Sequence, residues 1–336
     1  MENRGVSLML DLLVGDPHIR PEDLPDGEAL LEAVVRMANE KTPDGQEVDR
    51  VIFLGDQHHT HAIMHIDVVA FWLKYLHAIK KPVVMLLGNH DRSSDRGSKT
   101  HALMAYKHFP HVKVVDQPWQ WDGQLFLPYY FDPKEFVAAA NAFPGTQTLI
   151  CHGTLTGATY ENGFYAKDGV DPALLPQQFV ISGHIHTTQE FGKVWYPGSP
   201  RWLNVSDANV SKYLWLVERD AGGTVYSNRR QYATDEFCSR LVHLSDTPEE
   251  PLEFRPIRDH RYVVDLCGPQ DWIEAKKGAY VGRARVRTFR TDTAAPKVKE
   301  SDGIAVALKK YVRHFKAPHQ TSPDVLQAML HARYTA

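Results

Sequence analysis

Cysteine is scarce in this chain, with three residues among 336. Cys151, Cys238 and Cys267 are odd in number and far apart, which argues against a disulfide framework or a zinc knuckle and fits reduced thiols in a cytoplasmic setting. Long apolar runs are also missing. None approaches the roughly 18 residues of a membrane span, so no membrane partner is expected. The stretch from Leu8 to Val14 is broken by Asp11 and has no small-residue cleavage site behind it, so it reads as a strand and not as a signal-peptide core. Neither sign of charge is in excess. The formal net charge is −3, and without global basicity any affinity for nucleic acid has to come from local patches. No internal repeat is visible. With 43% hydrophobic and 24% charged residues the composition is that of a globular protein, long enough for one large catalytic domain and a smaller one.

What the chain has in abundance is histidine, 18 residues, several of them at the ends of apolar runs. Leu8 to Val14 runs into Asp16 and His18, and Val51 to Leu54 into Asp56. Val83 to Leu87 runs into Gly88-Asn89-His90-Asp91, Thr148 to Ile150 into His152, and Phe179 to Ile181 into His184 and His186. Aliphatic and β-branched runs that stop at glycine and polar residues read as buried strands delivering side chains into loops. That is where α/β enzymes keep their chemistry.

The spacing of apolar residues predicts amphipathic helices over Glu28 to Asn39 and about His61 to Ile79, with Trp72 and Tyr75 as packing residues. Strands and helices alternating through short connections indicate an open α/β sheet with its polar strand ends on one edge. Between Val112 and Leu127 two short strands are expected around Asp122-Gly123, as a hairpin. A helix near Pro133 to Ala142 leads to the fourth ligand strand. The stretch from Gly153 to Pro172 has no periodicity and is either an active-site rim or an inert surface loop. Val194 to about Tyr226 reads as closing antiparallel strands.

A composition shift at Thr247 to Pro251 separates a catalytic domain, residues 1–246, from a small C-terminal region, residues 252–336, unless it is a loop within one domain. That region reads as strands near Tyr262 to Leu266 and Val281 to Phe289, then helices near Ile304 to Phe315 and Pro323 to Ala332. Arg283, Arg285 and Arg287 alternate at strand spacing and would share a face. They form either a solvated edge or a phosphate-contacting stripe.

A single histidine at a strand end is more often a hydrogen-bonded structural group than a ligand. Seven ligand-type residues, Asp16, His18, Asp56, Asn89, His152, His184 and His186, at five successive strand ends make that reading hard to sustain. They form a mixed oxygen and nitrogen set large enough for two divalent ions, with Asp56 suited to bridge both. Two ions about 4 Å apart can clamp the attacking and leaving oxygens of a phosphoryl displacement. Such a set suits Mn²⁺, Fe or Zn²⁺ better than Mg²⁺. His61, His65, His77, His101, His108 and His111 lack this context and read as structural. Cys151 would point away from His152, as a small buried hydrophobe.

With Asp16-Pro17-His18, Gly55-Asp56, Gly88-Asn89-His90-Asp91, His152 and Gly183-His184-Ile185-His186 in this order, the chain resembles the calcineurin-like metallophosphoesterases. The resemblance covers roughly residues 7 to 200. It implies a four-layer α/β/β/α sandwich with a small C-terminal α+β capping region. It also implies Asp16, His18, Asp56 and His186 on one metal, and Asp56, Asn89, His152 and His184 on the other. His90 would stabilise or protonate the leaving oxygen, with Asp91 orienting it.

Protein phosphatases of the family carry Gly-Asp-x-x-Asp-Arg-Gly and Gly-Asn-His-Glu. Here stand Gly55-Asp56-Gln57-His58-His59 and Gly88-Asn89-His90-Asp91. The Gly-Asp-x-x-His form, with Tyr196-Pro197-Gly198-Ser199-Pro200 and Arg201 after the last histidines, is similar to the SbcD-type nucleases of double-strand-break repair. His59 then maps to a residue contacting the scissile phosphate. The length is short for a cellular SbcD and closer to the phage-encoded subunit, which would act in the host cytoplasm. This resemblance implies a two-metal, Mn²⁺-dependent DNA exo/endonuclease in which a metal-bound hydroxide attacks the phosphodiester in line. It also implies an SbcC-type ATPase partner and a dimer of the nuclease subunit. The C-terminal helices would be the docking segment or a plain closing pair. A stand-alone phosphodiesterase acting on a small nucleotide or phosphate ester is the alternative.

Overall fold

The computed structural model describes residues 8–292, apart from 43–44, 94–95, 97, 221 and 258. The helices expected near Ile304 to Phe315 and Pro323 to Ala332 lie outside the described residues. Two compact units divide between Ser239 and Arg240.

In the first unit β1 (Met9–Val14) leads through α1 (Leu24–Asn39) to β2 (Arg50–Phe53), and α2 (Ile66–Ala78) returns the chain to β3 (Val83–Leu86). β4 (Val112–Val115) follows, then β5 (Trp119–Trp121), β6 (Gln124–Leu127), α3 (Pro133–Asn141), β7 (Thr148–His152) and β8 (Phe179–Gly183). β9 (Gln189–Phe191), β10 (Val194–Tyr196), β11 (Tyr213–Arg219) and β12 (Val225–Ala233) complete the unit. One six-stranded sheet has the order β12-β11-β1-β2-β3-β4 and the other β5-β6-β7-β8-β10-β9. β1 to β4 are parallel, as are β6, β7, β8 and β10. The carboxyl ends of the ligand-bearing strands in each sheet therefore fall on one edge.

Strand alternation sorts the side chains into layers. Leu13, Ile52, Leu54, Val84 and Leu86 of the first sheet pack with Phe126, Ile150, Ile181 and Trp195 of the second in one buried cluster. Phe53, one residue on from Ile52, points the other way and meets Trp72 of α2 at 5.2 Å between ring centroids. On the far side Leu125, Leu127, Leu149 and Cys151 pack with Phe136 and Ala140 of α3. The result is helices, sheet, sheet and helix. Each fully buried aliphatic or aromatic side chain contributes about 1.5–3 kcal/mol. Burial pushes the Cys151 thiol up to about 12, consistent with an inert packing group.

Several boundaries differ from the expected ones for local reasons. α1 starts four residues before Glu28, because Pro25 fits its first turn and Gly27 leaves room for Phe71 of α2. α2 starts later than His61, because Ala62 adopts a left-handed backbone with φ 60°. Three strands stand between Val112 and Leu127 where two were expected. The extra one, β4, joins the first sheet beside β3, while β5 and β6 form the hairpin around Asp122-Gly123 in the second.

In the second unit β13 (Leu241–Asp246), β14 (Arg261–Gly268) and β15 (Arg285–Arg290) form a parallel sheet in that order, with α4 (Gln270–Lys277) as the crossover between β14 and β15. The Thr247 to Pro251 shift falls inside this unit, in the β13–β14 connection. Arg285 and Arg287 stand two apart in β15 and share a face, but Arg283 does not extend their row. Arg283 precedes β15, with its guanidinium 5.0 Å from the Phe254 ring centroid. Arg287 forms a two-pronged 2.5 Å pair with the buried Asp265 carboxylate, so its charge is engaged inside the unit. Among the described residues no helix is long and apolar enough to cross a membrane.

Candidate metal centre

The strand ends of the first unit's two sheets meet at one place, and their backbone there is unusual. His18, Asp56 and His184 have φ of 44°, 51° and 89°, a left-handed region that costs of order 1–3 kcal/mol per non-glycine residue and clusters at functional sites. Glycine is needed just before four of the ligand-type residues, Asp16, Asp56, Asn89 and His184, since a Cβ at each would stand less than 2.5 Å from another heavy atom. A Cβ on Gly55, itself at φ 115°, would stand 2.1 Å from His152 Nδ1, and one on Gly88 would stand 2.1 Å from Asp56 Oδ1.

The geometry gathers the side chains into two adjoining clusters. Ligand atoms of Asp16, His18 and His186 lie within 4.8 Å of one another, as do those of Asp56, His152 and His184. Asp56 Oδ2 lies between the two, 3.4 Å from His18 Nε2 and 3.5 Å from His152 Nε2. Asn89 Oδ1 sits 3.0 Å from His152 Nε2 and 2.9 Å from His184 Nδ1. All seven residues singled out at the strand ends are therefore brought together.

This donor set suits divalent ions. His18 Nε2 and His186 Nε2 face each other at 3.1 Å, and Asp16 Oδ1 is buried without a hydrogen-bond partner. Carboxylates with imidazole and amide donors are the chemistry that Mn²⁺, Fe and Zn²⁺ accept. The electrostatics agree. Burial alone would lower His152, but the Asp56 and Asp16 carboxylates overcome it and push the imidazole up to about 9. A buried field that holds a proton this firmly calls for positive charge at that point. Burial raises Asp16 and lowers His18, so the neutral imidazole that a metal ion requires is favoured at His18.

The supporting residues explain why the clusters hold their shape. His90 has its Nδ1 2.6 Å from the His59 carbonyl, while its backbone N–H donates to Asp56 Oδ1 at 2.8 Å. The two carboxylate oxygens of Asp91 accept from the backbone N–H groups of His58 and Gly88, at 2.9 and 3.0 Å. The orienting role expected of Asp91 therefore belongs to the His59 carbonyl. Asp91 instead staples the loop after β2 to the loop after β3. Arg201 is buried and donates to the Pro17 and His18 carbonyls at 2.9 Å, fixing the turn that carries Asp16 and His18.

His59 is half-buried, with its ring centroid 5.6 Å from that of His90 and 5.3 Å from that of His18. Ligand atoms of these three histidines also fall within 4.8 Å of one another. Burial, with Arg20 nearby, lowers the His59 pKa, and burial lowers that of His90. His61, set aside as structural in the sequence, is exposed and lies against His90 with ring centroids 3.9 Å apart. By contrast His101 pairs with Asp116 at 3.0 Å, and His111 bonds the Leu76 carbonyl.

Three residues around His186 were not foreseen. Glu161, from the Gly153–Pro172 stretch, accepts from the His186 backbone N–H at 2.6 Å, which makes that stretch a rim of the site. Asp207 Oδ2 stands 3.9 Å from His186 Nδ1, and its Oδ1 accepts from the buried Lys212 ammonium at 2.7 Å. Lys212 also donates to the His186 carbonyl and Ser199 Oγ, each at 2.9 Å. Nothing local in the sequence announces these partners, which are distant in the chain.

Burial would raise Asp207, but His186 and Lys212 hold it down at about 2. Its folded value lies below the unfolded 3.8, so its stabilisation is present above about pH 4 and is lost as pH falls toward 2. Asp207→Asn leaves the buried Lys212 charge without its carboxylate and is expected to cost about 3–5 kcal/mol near neutral pH. Urea titrations at pH 7 and pH 3 check this: the difference between variant and wild type narrows at the lower pH, and a difference that widens there contradicts the assignment.

The model of the calcineurin-like phosphoesterase family matches residues 12–188, more than half of the chain. No curated protein matches. One solved structure aligns with 67% of this chain and 100% of its own, at 11% identity and a TM-score of 0.40.

Proposed function

Since this chain belongs to the calcineurin-like phosphoesterases, a family of metal-dependent phosphoester hydrolases, we propose that it is a phosphodiesterase acting on the DNA backbone, in the manner of the SbcD-type nucleases. The observation that carries the reading is the placement of His59, the last residue of Gly55-Asp56-Gln57-His58-His59, against both His90 and His18. A second imidazole beside the leaving-group histidine gives a phosphodiester two contacts outside the metal clusters.

Asp16, His18, Asp56 and His186 would hold one ion and Asp56, Asn89, His152 and His184 the other, with Mn²⁺ the proposed metal. When bound, the ions supply charge neutralisation on the phosphate and a lowered pKa for a water nucleophile. The remaining chemistry belongs to the chain. His90 Nδ1, fixed by the His59 carbonyl, leaves Nε2 to give a proton to the departing oxygen. Its lowered pKa makes the protonated ring a better acid. His59 binds a non-bridging phosphate oxygen. The reading carries with it an SbcC-type ATPase partner, a dimer of nuclease subunits, a phage-type origin and a DNA-holding role for the second unit.

Labelled linear duplex DNA and bis-p-nitrophenyl phosphate, each with Mn²⁺ and with EDTA, test it. Cleavage of both with Mn²⁺ and neither with EDTA is expected. If DNA stays intact even with an SbcC-type ATPase present while the small ester is cleaved, the nuclease reading gives way to a stand-alone phosphodiesterase.

A further inference from the structure

Beside the metal centre lies a cavity of about 660 Å³, within the range of small-molecule sites, that none of the roles above uses. It shares a wall with the centre. Tyr129 lines the cavity, and its ring centroid is 6.0 Å from that of His184, 6.1 Å from that of His152 and 5.3 Å from that of Phe131. Tyr129 is anchored by its N–H to the carbonyl of Leu87, the residue before Gly88-Asn89, at 2.8 Å.

The lining combines aromatic rings with cations. Arg92 donates to the Tyr129 carbonyl at 3.0 Å. The guanidinium carbons of Arg92 and Arg96 stand 5.0 and 5.4 Å from the Phe131 ring centroid. Lys99 and Tyr130 complete this face. Two of the three acidic residues of the wall are engaged: Asp116 pairs with Lys107 and His101, and Asp132 caps α3 by accepting from the Lys134 N–H at 2.8 Å. The third, Glu135, is exposed and is outnumbered by Arg92, Arg96 and Lys99. The cavity thus offers π-faces together with positive charge. Aromatic and guanidinium planes stack on nucleobases, and the same cations pair with phosphate.

We propose that this cavity binds a nucleotide unit of the substrate, with its base stacked among Tyr129, Tyr130 and Phe131 and a phosphate held by Arg92, Arg96 and Lys99. The proposal rests on the phosphodiesterase reading and names the neighbour of the scissile bond as its specificity contact.

The test titrates the Mn²⁺-loaded protein with dTMP and with 2-deoxyribose 5-phosphate. The two share the phosphate and sugar, so any binding at the metal centre cancels and the ratio reports the base. dTMP is expected to bind about tenfold tighter, the size of one base–aromatic stack. Phe131→Ala brings the ratio to within about twofold of unity, as loss of that stack requires. Arg96→Ala, at an exposed residue, weakens dTMP binding several-fold at low salt and less at high salt. Equal affinities in the wild type overturn the proposal, as does a ratio that Phe131→Ala leaves intact. Should Phe131→Ala not fold, unchanged dTMP binding by Arg96→Ala has the same force. Hydrolysis of bis-p-nitrophenyl phosphate by the same wild-type preparation is scored apart. Its absence defeats the phosphodiesterase reading, whereas hydrolysis without a dTMP preference defeats the cavity alone.

Discussion

The expected result of Asp56→Ala, on the proposed phosphodiesterase reading, is a kcat lowered by on the order of 10³-fold for bis-p-nitrophenyl phosphate and for DNA alike, as loss of a preorganised charge at a reacting centre does. The reason is its place. Asp56 Oδ2 is the carboxylate oxygen within 3.5 Å of imidazoles in both clusters, and Asp56 Oδ1 accepts the His90 backbone N–H. Removing it would take a ligand from both proposed ion sites at once and loosen the loop that carries His90. His90→Ala is the instructive contrast. With the proposed general acid removed, kcat is expected to fall about 10²- to 10⁴-fold, but the change takes no ligand from either cluster, so the metal content of Mn²⁺-loaded protein is expected to stay at the wild-type level. Asp56→Ala loses metal as well as rate. Full metal content with wild-type turnover in Asp56→Ala would sink the two-cluster assignment.

The second large effect is on stability. Asp11 is buried in β1 and its carboxylate pairs with Arg50 Nη2 at 2.7 Å and Arg219 Nε at 3.0 Å, both arginines also buried. Arg50 goes on to bond Gln124 of β6 and lies 4.6 Å from the Trp121 ring centroid, so the network ties the first sheet to the second. Asp11→Ala leaves two guanidinium groups inside the protein with their main counter-charge gone. A loss of about 3–5 kcal/mol is expected, read as a lower urea midpoint with kcat per folded molecule unchanged. A midpoint within error of the wild type would mean that water or Asp122 takes over the charge.

The same residue shows what the sequence could and could not say. Asp11 was visible as a break in an apolar run, enough to reject a signal-peptide core. Its partners Arg50 and Arg219 lie 39 and 208 residues away, beyond the reach of local pattern. The seven ligand-type residues were legible because each follows a strongly apolar strand, and strand periodicity is a local signal. Glu161, Asp207 and Lys212 carry no such context, and only the folded chain brings them to His186. Asp91 departs from the sequence expectation for a related reason. Adjacency to His90 suggested a side-chain partner, whereas both its oxygens face backbone N–H groups. His61 carries no such signal because the direction of a histidine eight residues beyond β2 is set by the loop and not by the strand. β4 was merged with the hairpin because three short strands with brief connections look alike in composition, whichever sheet they join.

The two clusters also bear on the order in which the protein is built. Each takes one imidazole from the segment His184-Ile185-His186, and each takes its first carboxylate from far upstream, so that the His18–His186 contact spans 168 residues. Such distant pairings carry a loop-closure cost that nearby ones do not. On a ribosome neither cluster can be completed while β8 is still unmade, however well β1 to β3 have paired. The first half of the chain waits with its carboxylates exposed to water, and both halves of the centre close together when one short segment arrives.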